Sequence, residues 1–148
     1  MAFVQNFPFF CIILSMFSAI ISFVLNGKWA KRVHLTMVTV VLILSACTLS
    51  FCLKSGESYT FMMGHFPAPW GNEIRIGVLE ALMATVFCII MLLSVVGGMR
   101  HMDEKILGSK KNLFFILLNL LLSSLLALIY TNDLFTAYVF IEINTIAA

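Results

Sequence analysis

Charge is scarce in this sequence. Nine Lys and Arg and seven Asp and Glu make up 11% of its 148 residues. A soluble domain of that length needs a polar exterior, and so few charged groups cannot supply one. No basic patch is interleaved with aromatics, which argues against nucleic acid as a partner. The four cysteines, Cys11, Cys47, Cys52 and Cys88, form no CxxC pair, and none stands beside a histidine at metal-ligand spacing. They read as small packing residues of a helix bundle, not as a disulfide or metal site. Nucleophile elbows, Walker loops, dinucleotide fingerprints, zinc motifs and haem motifs are all missing, so no cofactor, no metal and no redox or hydrolytic site is expected in this chain. A basic segment ahead of the first apolar block is missing too, since the first positive charge is Lys28. That absence favours a retained helix over a cleaved signal peptide.

What the chain does have is apolar surface in long runs. Hydrophobic residues make up 61% of it, and the mean hydropathy is +1.06. Crossing the hydrocarbon core takes about 20 mostly apolar residues in a helix. The blocks lie at about 3–25, 35–53, 78–99 and 112–130, and a fifth begins at 134 and runs to 148. The expected architecture is therefore one all-α membrane domain over 1–148, a polytopic bundle of four full spans and the start of a fifth. Asn26-Gly27 and Gly97-Gly98 read as helix stops, with Pro8 in the first turn of the first helix. The fifth stretch, Leu134 to Ala148, is too short to cross as a helix, so the chain reads as part of a longer or split polypeptide.

Between spans two and three lies one long connection, 54–77. Its centre, Gly64-His65-Phe66-Pro67-Ala68-Pro69-Trp70-Gly71, excludes a continuous helix and suggests a compact hairpin or plug at the membrane interface. Lys and Arg mark the orientation. Lys28, Lys31 and Arg32 follow the first span, and Arg100, Lys105, Lys110 and Lys111 follow the third, against Lys54 and Arg75 on the other side. The excess places segments 26–34 and 100–111 in the cytoplasm, with the N-terminus and the Pro-Trp loop outside a cell (inner) membrane. His34 and His101 then fall in cytoplasmic loops and His65 in the outer one, each expected to be solvated.

One ionisable residue stands out. Glu142 comes eight residues after Leu134, about 12 Å along a helix at 1.5 Å per residue, close to the bilayer midplane. A carboxyl there costs a few kcal/mol unless paired, hydrated or protonated, and such groups mark ion or proton pathways. Asn144 and Thr145 add polarity beside it. Hydrocarbon favours the neutral acid and an approaching cation favours the carboxylate, which is the competition a proton relay uses. No lysine falls inside any of the apolar blocks, so the partner is expected to come from elsewhere. Glu80, near the outer end of the third helix, is the second candidate, with pairing to Arg75 as an equal alternative. Asp133 reads as a helix cap.

Two segments carry a family resemblance. Pro67-Ala68-Pro69-Trp70-Gly71 resembles the Pro-x-Pro-aromatic-Gly loop of antiporter-like membrane subunits. Asp133-Leu134-Phe135-Thr136-Ala137-Tyr138-Val139-Phe140-Ile141-Glu142 is similar to their aspartate-to-glutamate fifth helix. That family occurs in respiratory complex I, in Mrp-type cation/proton antiporters and in ferredoxin-linked membrane complexes. The resemblance covers essentially the whole chain, as the N-terminal portion of such a subunit. It implies that Glu142 is the helix-five glutamate, partnered by a lysine on helix seven in the first of two inverted repeats. The lysine helix and the second repeat are not in this sequence. The stretch from Gly71 to Glu80 lacks the early aspartate of many members, which is nearer to the ferredoxin-linked branch. The resemblance implies a non-catalytic subunit that moves protons or sodium ions among other membrane subunits in the lipid bilayer. The alternative is a small structural or assembly subunit that packs against a transporter and moves no ions.

Overall fold

A computed structural model of the chain describes residues 4–62, 71–106 and 110–148, and for 99–105 the backbone alone. His65 and Pro67 to Trp70 lie outside the described residues, as does the side chain of His101. The architecture is the expected all-α bundle. Among the described residues four helices are long and apolar enough to cross a membrane, and a fifth apolar helix is shorter.

Helix α1 (Phe7–Val24) follows a single 3-10 turn and carries Pro8 in its first turn, where a missing N–H leaves no bond unmade. The chain becomes extended at Leu25. The Asn26 carbonyl then accepts from the amides of Trp29 and Ala30 at 2.8 and 2.9 Å, which opens α2 (Gly27–Ser55). The 29 residues of α2 extend about 43 Å, beyond a hydrocarbon core of about 30 Å. The surplus turns hold Lys28, Trp29, Lys31 and Arg32. The basic segment expected as a loop over 26–34 is thus helical from Gly27. Hydropathy ends where lipid ends, but Lys and Arg are good helix formers and the backbone ladder continues past that level. Arg32 also lies over the Trp29 ring, 5.0 Å from its centroid. At the far end Gly56, with φ +68°, closes α2 by donating its N–H to the Cys52 carbonyl at 2.9 Å.

Helix α3 (Val78–Lys105) likewise runs on through Gly97-Gly98, the expected stop. A glycine inside a helix costs about 1 kcal/mol relative to alanine, too little to end a ladder extended on both sides. Helices α4 (Lys111–Tyr130) and α5 (Leu134–Ala147) are joined by a three-residue turn. Asp133 caps α5, its carboxylate accepting from the Thr136 amide at 3.0 Å and hydroxyl at 2.7 Å.

Within the long connection, β1 (Tyr59–Met62) pairs antiparallel with β2 (Glu73–Ile76), Tyr59 opposite Ile76 and Met62 opposite Glu73. Ile74 and Ile76 are buried against the helix ends while Arg75 is exposed. The hairpin is tied to the α4–α5 turn by a bridge between Ile74 and Thr131 and by the Asn132 amide, which donates to the Glu73 carbonyl at 2.9 Å. Burial holds the Tyr59 phenol protonated far above its usual range, with Cys52 adding to the shift.

The helices pack in the sequence α3, α2, α1, α4, α5, with further contacts of α4 against α2 and α3. Their faces reverse the soluble pattern. The buried stripe of α1 is Cys11, Ile12, Ser15, Ser18, Ala19 and Ser22, and its exposed face is Phe10, Phe17, Ile20, Phe23 and Val24. Small and weakly polar residues let backbones approach, while large apolar side chains meet lipid as readily as they would meet one another. Composition, span lengths and these faces make the chain a multi-pass membrane protein.

Candidate functional site

Helix α5 packs on α4 with one flank only. Asn144 is half-buried and accepts from the Ser124 hydroxyl at 3.4 Å, and Phe140 joins the core. The opposite flank is bare. Leu134 is 87% and Phe135 76% exposed, and Tyr138 and Ile141 continue the surface. Glu142 belongs to that outward flank and is exposed. Tyr138, one turn earlier, interacts with the Glu142 carboxyl through its hydroxyl. The polarity that sequence placed around Glu142 is therefore divided. Asn144 serves the α4 contact, and the Thr145 hydroxyl donates to the carbonyls of Ile141 and Glu142 at 2.8 Å each. What remains at the carboxyl is a tyrosine and an apolar surround.

Glu80 is placed elsewhere. It stands in the first turn of α3, where a negative charge is favoured by the helix dipole. Its carboxyl folds back over Gly77, so closely that a Cβ built there would meet Oε2 at 2.6 Å. The structure keeps Glu80 at the hairpin end of the bundle and Glu142 two turns along α5, so the two do not share a site.

A third polar group lies in the core. His34, expected in a solvated loop, is fully buried inside α2. The helical start at Gly27 brings it onto the stripe of Ala30, Met37, Val38 and Val41 that faces the core. Its Nδ1 hydrogen-bonds the Asn119 Oδ1 of α4, and the Asn119 Nδ2 donates to the Ser22 hydroxyl of α1 at 3.2 Å. Asn119 donating to Ser22 fixes its oxygen toward His34, so Nδ1 carries the proton and donates. Nε2 is buried without a partner. The Phe115 ring lies 5.6 Å from the imidazole, centroid to centroid. This chain of side chains joins three helices at one level. Further along, Ser123 donates to the Ile12 carbonyl at 3.3 Å and Cys11 lies 4.0 Å from the Ser45 hydroxyl. Among the described residues no group of three or more His, Cys, Asp or Glu is placed to hold a metal.

No family model matches the chain. Over 146 residues it is 26% identical to the NADH-quinone oxidoreductase subunit N of Desulforudis audaxviator (strain MP104C), a match that covers 97% of this chain and 29% of that protein. The likeness to antiporter-like subunits of respiratory membrane complexes holds. The fold agrees with a chain in the structure of the membrane-bound sulfane sulfur reductase, an archaeal respiratory membrane complex. The TM-score is 0.81 at 18% identity, over 99% of this chain and 29% of that one. The second likeness is one of fold. In both, the chain spans less than a third of its relative's length.

Proposed function

We propose that the chain is the N-terminal portion of a proton- or sodium-translocating, antiporter-like subunit in a complex I-related membrane assembly. Glu142 is the residue that takes up and releases the ion. One observation carries this reading: a carboxyl about 12 Å along a membrane helix, on the flank that α4 leaves uncovered. A charged group at such a depth is costly unless a partner or water meets it, so its presence on an open flank supports a site completed from outside α1 to α5. The relatives, both from or named for respiratory membrane complexes, support other membrane subunits as partners. The excess of Lys and Arg at the α1–α2 and α3–α4 ends supports a cytoplasmic position for that end. Glu80 is better accounted for as a charge at the start of α3 than as part of an ion path.

The test is Glu142→Gln in the assembled complex, followed by proton or sodium uptake into membrane vesicles. The amide keeps the shape and removes the titration, so transport should fall to background while assembly is retained. Wild-type transport in that variant would refute the assignment and favour a purely structural subunit.

A further inference from the structure

The basic end of the bundle has an open-sided cavity of about 340 Å³ between the first turns of α2, Ile106 and the start of α4. Lys28, Lys31, Arg32 and Lys111 line it, and Phe114 and Phe115 form apolar wall. A neighbouring recess shares Lys28 and Lys111 and is edged by Trp29. Both helices begin here, and neither start is capped by a side chain. The positive ends of two helix dipoles therefore add to the four cations. By sequence this end of the bundle holds seven Lys and Arg against Asp103 and Glu104, so its field is positive overall.

Two properties restrict the ligand. Lys28, Lys31 and Arg32 belong to the turns of α2 that overshoot the hydrocarbon thickness, the level at which phospholipid headgroups lie, and Lys111 opens α4 on the other side of the cavity. The aromatic wall continues from that level into the span. A free inorganic anion would use the cations and gain nothing from Leu35 and Phe114. A phosphate that carries an acyl chain uses both. The wall is also held in place, because Phe115 rests on His34, whose link through Asn119 to Ser22 fixes α1, α2 and α4 relative to one another. We propose that this cavity binds the phosphate headgroup of an anionic phospholipid, with Lys28, Lys31, Arg32 and Lys111 around the phosphate and an acyl chain along the half-buried Leu35 and Phe114, behind which Phe115 is buried. Basic recesses between membrane helices are suited to such headgroups. The site is independent of Glu142 and of whether the subunit moves ions.

The full chain, purified in neutral detergent and stripped of lipid, is titrated with palmitoyl-oleoyl phosphatidylglycerol and with the phosphatidylcholine of the same acyl chains, and bound lipid is counted by native mass spectrometry. Phosphatidylglycerol should bind about tenfold more tightly, consistent with several basic groups acting on one headgroup charge. The pairs Lys31→Gln with Arg32→Gln, and Lys28→Gln with Lys111→Gln, should each remove most of that preference. Lys54→Gln with Arg75→Gln, at the other end of the bundle, should leave it intact. The wild-type protein supplies a measurement that no folding defect can imitate: raising NaCl from about 50 to about 500 mM should erode the preference, because the attraction is between partly exposed charges. Equal affinity for the two lipids, or a preference indifferent to salt and to the cation pairs, overturns the proposal. So does complete displacement of phosphatidylglycerol by sodium phosphate at matched concentration, which would make this a free-phosphate site with no role for the aromatic wall.

Discussion

The link from His34 to Asn119 admits a test whose outcome follows from counting hydrogen-bond partners. In Asn119→Leu a side chain of similar size removes both bonds of the amide. The imidazole is then left fully buried with neither nitrogen paired, because Nε2 has no partner to begin with. The Ser22 hydroxyl loses its donor but can turn to a carbonyl of its own helix, as Ser15 and Ser18 do. A buried group stripped of its partner costs about 1–3 kcal/mol. Polar contacts between membrane helices average about 0.6 kcal/mol, with a maximum near 1.7, because the unfolded chain in the membrane also finds partners. The expected loss is therefore about 1–2 kcal/mol. His34→Phe keeps the ring contact with Phe115 and orphans the Asn119 oxygen, but it also removes the unpaired Nε2, so it should cost less than Asn119→Leu. The double variant replaces both polar groups by apolar ones and should lie within about 1 kcal/mol of wild type. Denaturant or thermal unfolding in detergent, followed by the fluorescence of Trp29 on the same helix as His34, gives the four stabilities of the cycle. Additive losses, or a His34→Phe variant less stable than Asn119→Leu, would refute the pairing as described.

Two further outcomes follow from local geometry. The Thr136 hydroxyl and amide hold the Asp133 carboxyl below its usual range, so the α5 cap is complete above about pH 4 and is lost as pH falls through the depressed value. Hydrogen exchange at the Thr136 amide should accelerate on acidification and in Asp133→Ala at neutral pH, and unchanged exchange in the variant would show that the cap is not formed. Gly97→Ala should stabilise α3 by roughly 0.5–1 kcal/mol, since the added Cβ meets nothing within 4 Å and the helix already passes through this position. A lower melting temperature in that variant would mean that the glycine is needed for a close approach absent from this structure.

The five apolar blocks were legible because bilayer thickness imposes a length on each, and no local preference competes with it. Helix ends were not, for a reason visible in α2 and α3. Hydropathy reports where lipid stops, whereas a helix stops where its hydrogen bonds do, and Lys28 to Arg32 and Arg100 to Lys105 separate the two. That error carried His34 with it. Counting the helix from Leu35 left the histidine outside, although it shares the spacing of Ala30, Val38 and Val41. Asn119, alone in the leucine run of α4, was the signal that could have found it, since a lone amide in an apolar span needs a partner on another helix. The strands had a local signature as well. Glu73-Ile74-Arg75-Ile76 alternates with the period of a strand, and the structure buries both isoleucines and exposes the arginine. Asp133 was readable as a cap because its role is local to the first turn.

The two sets of polar groups in the bundle differ in how they are satisfied. Ser22, His34, Asn119, Ser123 and Ser124 face inward and bond across helices or back onto a carbonyl, so they hold α1, α2, α4 and α5 in register. Glu142 faces outward from α5 among Leu134, Phe135 and Ile141, where lipid would be its neighbour. A tyrosine hydroxyl alone does not offset the cost of a carboxylate in hydrocarbon, which is about 2.5 kcal/mol or more at the centre of a span. The cost falls where protein or water meets that flank. Under the proposed function, whatever meets that flank is the partner that completes the ion site, and the inward-facing polar groups are bonded within the bundle and leave no such opening.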